Sequence, residues 1–239
     1  MKPVDVVRFS YSAAEARTLL LILLGIELLL VSAYILTHII APGPSLGPLR
    51  NFLDVDREVS IPTWFSSIQL FAVGAVLLPL ARRSKPLSAF LVLVALGFVF
   101  LSMDEAAAIH DKIYRSAQRL KLPLLEGVEY LIWMAAYLLV GMISLLIGYR
   151  PVLFVWNHHR REGVWIAAGG AIFVVGGIGI EIFTHYLYNI ALDAKFVLAV
   201  AAEEFFEMAG VSFMLYGFML LGLRLESEAS GEMPRHVNL

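Results

Sequence analysis

The sequence has 239 residues, of which 59% are hydrophobic and only 16% are charged, and its mean hydropathy is +0.79. Because soluble domains carry about 25% charged residues, this composition indicates a membrane protein without room for a large soluble domain. The formal net charge of −2 argues against a nucleic-acid partner. The absence of cysteine excludes disulfides, iron–sulfur clusters and thiol catalysis.

Six apolar stretches, each long enough to cross a bilayer, follow one another along the chain. The first is longer than the core of a cleaved signal peptide, about 7–15 residues, so we expect it to remain as a span. The sequence therefore predicts an all-α, polytopic transmembrane bundle forming a single domain over residues 1–225, with a polar tail over 226–239 expected to be disordered. The predicted spans are residues 18–41, 61–81, 86–106, 128–149, 163–187 and 196–223.

Basic residues are concentrated at one set of span ends, and the positive-inside rule makes these ends cytoplasmic. Both termini are then predicted to be cytoplasmic, in a multi-pass protein of a cell membrane of the bacterial inner-membrane type. With this topology every acidic residue inside a span falls in the outer half of the membrane. Side chains from distant parts of the chain are therefore expected to meet at one depth. The bias is moderate: the basic residues at these ends are Lys2, Arg8, Arg17, Arg82, Arg83, Lys85, Arg150, Arg160, Arg161 and Arg224, and those on the opposite side are Arg50, Arg57, Lys112, Arg115, Arg119, Lys121 and Lys195.

The last span carries three carboxylates within an apolar run. A charged side chain at the centre of a membrane helix costs about 2.5–3.5 kcal/mol on insertion scales. At about 100° per residue, Glu203 and Glu207 share one helix face and Glu204 lies on the adjoining face. These side chains should face the bundle interior, where a partner, a proton or a metal can compensate them. Glu27 is a further acid, in the middle of span one, and is either a network member or a proton carrier.

Span five carries Glu181 and His185 one helical turn apart. An acid and an imidazole at this spacing can bind one metal, form a proton-relay pair or make a structural hydrogen bond. The preceding glycine pairs at 169–170 and 176–177 expose backbone, which favours close helix packing. That packing would place Glu181 against a neighbouring helix.

Span three ends with Asp104 and Glu105, and His110 and Asp111 follow shortly afterwards. On a regular helix His110 points about 120° away from Asp104, so one helix cannot offer both groups to one ion without a kink. We predict Asp104 and Glu105 as a metal ligand or general base, and His110 as a metal ligand. The alternative is an ordinary amphipathic helix end whose acids lie in water.

The combination of carboxylates with imidazoles suits zinc, iron or manganese. Without a metal, carboxylates this close together should retain protons, which would suit proton coupling. The predicted catalytic residues are Asp104 and Glu105, and the predicted metal ligands are Glu181, His185, Glu203, Glu204, Glu207 and His110.

Ser66, Asp104 and His110 are residue types that membrane hydrolases of the alkaline-ceramidase type combine with further histidines around zinc. Those hydrolases also carry a His-x-x-x-His pair in the last helix, where this sequence has Glu203 and Glu207. The sequence is therefore not assigned to that family.

Three classes of function fit these patterns. The first is a metal-dependent membrane enzyme, a hydrolase or oxidoreductase, in which the metal activates water or oxygen and the substrate is a lipid or another hydrophobic molecule. The second is a proton- or cation-coupled transporter, although the spans show no inverted duplication. The third is a non-catalytic membrane subunit or scaffold. The expected partners are membrane lipid and a small hydrophobic substrate or an ion, and homo-oligomerisation is left open.

Overall fold

The computed structural model describes residues 11–40, 47–120, 129–188 and 193–230. All regular secondary structure in these residues is helical, which confirms the all-α prediction for this part of the chain. Two π-helical segments interrupt the series: Leu36–Ile40 continues α1, and Val175–Ile180 joins α8 to α9. The α-helices are α1 Ala13–Ile35, α2 Gly47–Leu53, α3 Ile61–Arg83, α4 Ser88–Ala107, α5 Ile109–Leu120, α6 Leu131–Ile147, α7 Tyr149–His158, α8 Arg160–Val174, α9 Glu181–Tyr188 and α10 Ala194–Ser230.

Five helical stretches among the described residues are long and apolar enough to cross a membrane. The remaining predicted span, residues 128–149, corresponds to α6, and α7 follows it beyond the predicted end, with an angle of 67° between the two helix axes. The part of the chain that the structure describes thus contains five candidate spans, or six if α6 and α7 form one bent span. The five are Ala13–Ile40, Ile61–Arg83, Ser88–Ala107, Arg160–His185 and Ala194–Ala229.

The break between α6 and α7 has local causes. Gly148 separates the two helices, and the ring of Phe90 occupies the space that a β-carbon at Gly148 would need. Pro151 follows in the first turn of α7, where its missing N–H is tolerated. α6 alone has 17 residues, fewer than the roughly 20 that a perpendicular crossing requires.

Helix α10 is the central element of the bundle. Within its most apolar window 78% of the residues are buried inside the chain, against at most 44% in the other candidate spans. It packs against α1, α3, α8 and α9, and against the π-helical stretch Val175–Ile180, which we call the π segment. The helix continues to Ser230, and Glu226 pairs with Arg83 at 3.3 Å, so the start of the predicted tail is helical. Residues 231–239 lie outside the described residues.

Glycines bring span five into backbone contact with α10. A β-carbon at Gly169 would lie 2.6 Å from the backbone nitrogen of Met214, and one at Gly210 would lie 2.5 Å from that of Phe173. A β-carbon at Gly176 would likewise lie 2.9 Å from the backbone nitrogen of Glu207. The prediction that these glycines permit close helix packing is confirmed, and the packing places the start of α9 beside the acids of α10.

A buried polar network ties α1, α3 and α10 together. Gln69 donates to Glu27 Oε1 at 2.8 Å and to the Ser212 hydroxyl at 2.9 Å. Ser212 donates to the same Glu27 oxygen at 2.5 Å. These side chains are at most 3% exposed. Of the two alternatives for Glu27, the structure therefore places it in an interhelical network.

Candidate functional site

A cavity of about 790 Å³ lies between the ends of α4, α6, α9 and α10 and is bordered by α5 and the segment before α3. Its lining has an acidic part and an apolar part. The apolar part comes mainly from α6, α8 and the π segment: Leu138, Gly141, Met142, Leu145, Phe173, Val174, Gly177 and Ile178. The predicted site residues that line the cavity are Asp104, Glu105, His110, Glu181, Glu203, Glu204 and Glu207.

Three carboxylates from two helices converge on one side of this cavity. Glu203 and Glu207 lie one turn apart on α10, and Glu181 is the first residue of α9. One oxygen from each of the three lies within 4.8 Å of the other two, close enough to surround one ion. Within the described part of the chain, Glu203 Oε2 is buried and has no hydrogen-bond partner. We call Glu181, Glu203 and Glu207 the carboxylate group.

The π segment positions Glu181 in this group. A π turn holds more residues than an α turn and changes the rotational phase of everything that follows it, and such turns are frequent at functional sites. Here Val175–Ile180 ends directly before Glu181. The same segment contributes Gly176 to the contact with α10, so one irregular stretch sets both the approach of the helices and the direction of the carboxylate.

A sharp turn at Ala108 brings His110 back toward Asp104. Ala108 has φ 51° and ψ 51°, a left-handed conformation that ends α4 before α5 begins. The backbone N–H of His110 donates to Asp104 Oδ1 at 2.8 Å, and His110 Nδ1 lies 3.1 Å from Asp104 Oδ2. The chain therefore has the kink that a shared site for Asp104 and His110 requires, and this kink brings the two side chains into hydrogen-bonding contact.

His110 also belongs to a second group of possible ligands, with Glu58 and Asp111. Its Nε2 lies 3.9 Å from Glu58 Oε1. Asp111 additionally pairs with Arg115. Sequence reasoning did not select Glu58 or Asp111 as ligands. The available signal for Glu58 was the run of acids directly before span two, at the same predicted end of the bundle as Asp104.

The charges around His110 favour its protonated form. Burial of the ring disfavours the imidazolium, but the hydrogen bond and the charge of Asp104, together with Glu58 and Glu181, outweigh it and raise the pKa of His110 to about 9. For Glu58, burial raises the pKa above its ordinary value although the His110 charge opposes this. In the metal-free protein at neutral pH, His110 is thus a cation held between carboxylates.

His185 does not join the carboxylate group. Its ring stacks on Tyr130, with centroids 3.9 Å apart and an angle of 17° between the planes, and it meets Tyr114 edge-on at 6.4 Å. It is not among the residues that line the cavity. The structure thus differs from the expected Glu181–His185 ligand pair, because aromatic side chains from outside α9 hold the imidazole away.

Glu105 and Glu204 line the same cavity without belonging to either ligand group among the described residues. Trp133 and Tyr137 of α6 add an aromatic wall, and the Trp133 ring lies 5.1 Å from that of His110. The sequence pattern alone predicted no role for these two aromatic residues. The arrangement offers oxygen donors on one side of the cavity, a mixed nitrogen and oxygen set on another, and apolar contact elsewhere.

The comparisons with known proteins identify a family but no relative with a known activity. No curated protein and no solved structure matches the chain. One family model, described as a domain of unknown function (DUF8692), matches residues 19–221, which is most of the chain. The protein therefore belongs to the DUF8692 family.

Proposed function

We propose that the protein is an integral membrane enzyme that uses a divalent metal to act on a lipid or another hydrophobic substrate. The observation that carries this proposal is the convergence of Glu181, Glu203 and Glu207 within 4.8 Å, in a cavity that also has a long apolar wall. The first feature supplies a place for a cation, and the second supplies a surface for an apolar substrate.

Electrostatics favour a cation among these three side chains. Carboxylates that approach one another in a low-dielectric interior repel and lose hydration, and a bound dication offsets both effects. Oxygen ligands suit manganese and iron, and zinc also accepts carboxylates. The metal would supply a Lewis acid that activates water or oxygen.

Asp104 and Glu105 suit different roles in such an enzyme. Asp104 is engaged with His110 through both of its oxygens, so it is better suited to position the imidazole than to accept a substrate proton. Glu105 lines the cavity and lies in neither ligand group among the described residues, which favours it as the general base.

A lipid-like substrate is favoured by the position of α6. Leu138, Met142 and Leu145 line the cavity and are also exposed to a large extent. Met134 is the sole buried residue that α6 contributes. In a membrane, this helix would therefore stand between the hydrocarbon phase and the site, and an apolar molecule could reach the acids without crossing water.

The alternative function is a proton- or cation-coupled transporter. It is favoured by one observation: the carboxylate group contains no imidazole, and carboxylates alone suit hard cations or protons. In this case the acids would exchange their cation across the membrane instead of retaining it for chemistry.

Elemental analysis of the detergent-purified protein tests the proposal. We expect at least one equivalent of zinc, iron or manganese in the parent and the loss of one equivalent in Glu207→Gln. Glu228→Gln is the matched control, because Glu228 lies on the same helix but pairs with Arg224 away from the cavity. Circular dichroism must show that both variants remain folded. A parent that stays metal-free after reconstitution with all three metals would exclude the metalloenzyme and favour proton coupling.

A further inference from the structure

We propose that Glu58, His110 and Asp111 form a second metal site, selective for a transition-metal dication of the zinc type and separate from the carboxylate group. This inference does not rest on the proposed enzyme activity. It rests on the geometry around one imidazole and on the donor atoms that surround it.

The orientation of His110 is that of a metal-ligating histidine. An ionised carboxylate can only accept hydrogen bonds, so the contact of 3.1 Å between Asp104 Oδ2 and His110 Nδ1 places a proton on Nδ1. The lone pair of the neutral imidazole is then on Nε2. Histidines that bind metals commonly donate their other ring N–H to a carboxylate in this way, which fixes the tautomer and the ring direction.

The Asp104 side chain is well fixed for this purpose. It is 8% exposed, and its second oxygen accepts the backbone N–H of His110 at 2.8 Å. The left-handed turn at Ala108 makes this double contact possible. The imidazole is therefore oriented by the backbone as well as by a side chain.

The ligand atoms around Nε2 are close to the spacing of a metal shell. Glu58 Oε1 lies 3.9 Å from Nε2, and an Asp111 oxygen completes a set whose members are all within 4.8 Å. Tetrahedral ligands at bond lengths of about 2.0–2.2 Å lie about 3.4 Å apart. Small side-chain rotations would close the difference. Asp111 also pairs with Arg115, so the metal would share this carboxylate with a guanidinium.

Three protein ligands leave a position open. The side chains of His110, Glu58 and Asp111 are 26%, 34% and 30% exposed, and all three border the cavity. Catalytic zinc sites use three protein ligands and keep the fourth position for water or substrate. A metal here would accordingly face the same space as the carboxylate group.

The donor atoms separate the two sites chemically. The carboxylate group offers oxygen alone, whereas the second site adds an imidazole nitrogen, which zinc, copper and cobalt bind readily. A spectroscopic signal from imidazole nitrogen would therefore distinguish metal bound at the second site from metal bound at the carboxylate group.

The test uses Cu²⁺ as a probe in the full-length, metal-free Glu207→Gln protein, in which the carboxylate group is disabled. Pulsed electron paramagnetic resonance should detect one Cu²⁺ coupled to imidazole nitrogen, and Zn²⁺ should compete with it only in large excess, because such sites bind Cu²⁺ more tightly. His110→Asn should abolish the nitrogen coupling. His185→Asn and His38→Asn are the matched controls and should retain it. Asp104→Asn should weaken Cu²⁺ binding by about 10–100-fold, as expected for loss of an orienting partner.

A nitrogen-coupled signal that persists in His110→Asn, or a parent that binds metal without any imidazole coupling, would overturn this proposal. Because His110→Asn could disturb folding, Glu58→Gln provides a second test that should lower the affinity while the imidazole remains. The two proposals can also be told apart. If Glu207→Gln contains as much metal as the parent and binds it through His110, the result would support the second site and contradict the first.

Discussion

The carboxylate of Glu207 lies directly against Gly177: a β-carbon at this glycine would be 2.9 Å from Glu207 Oε1. The contact joins the π segment to α10 at the centre of the carboxylate group. Any larger residue here would push the Glu207 carboxylate out of its present position.

Gly177→Ala should therefore displace Glu207 and reduce the metal content of the purified protein. Gly179→Ala is the matched control, since a β-carbon at Gly179 meets nothing within 4 Å in the same π segment. We expect at least a tenfold weaker metal affinity for the first variant and no change for the second, measured by competition with a chelator. Equal affinities in the two variants would contradict the expected displacement of Glu207 from the metal.

The buried network around Glu27 should be a source of stability. Glu27→Ala removes the acceptor of both Gln69 and Ser212, and each buried donor left unpaired costs about 1–3 kcal/mol. Glu27→Gln keeps an oxygen acceptor of the same size and should be much less destabilising. Denaturant unfolding of the detergent-solubilised protein would check this order. If both variants were as stable as the parent, the network would contribute little to the stability of the protein.

The pH dependence of stability should report the Asp104–His110 pair. Because the fold raises the pKa of His110 from 6.5 to about 9, the stabilisation is fully present below about pH 6.5 and is lost as the pH rises through 9. Asp104→Asn should remove most of this dependence. The check is the melting temperature of metal-free parent and variant between pH 6 and 10. Parallel curves for the two proteins would contradict the assignment.

Fusion reporters at the two termini should separate a five-span from a six-span topology. If α6 and α7 together cross the membrane, both termini lie on the same side, which the basic residues predict to be cytoplasmic. A reporter placed at the junction between α7 and α8, at His159, should then also be cytoplasmic. Termini on opposite sides would mean that the bent pair does not cross, and the predicted topology would be wrong.

Several features of this protein were determined by the sequence itself. Apolar composition and helix-length apolar runs predicted helices able to cross a membrane, because these properties depend on residues within one segment. The cost of placing carboxylates in an apolar run predicted that Glu203 and Glu207 face the interior. The glycines of span five predicted close packing, because a residue without a side chain allows any neighbouring helix to approach the backbone.

Tertiary structure decided which of these groups share a site. Helical periodicity fixes angles within one helix, but it does not say which helices adjoin or where a helix turns. The left-handed turn at Ala108 brought His110 back to Asp104, and a loop before α3 brought Glu58 to the same imidazole. Stacking on Tyr130 took His185 away from Glu181. The contacts of Glu58 with His110 and of Tyr130 with His185 join residues far apart in the chain, and no spacing within one segment encodes them. The turn at Ala108 is local, but helical periodicity does not predict where a helix ends in such a turn.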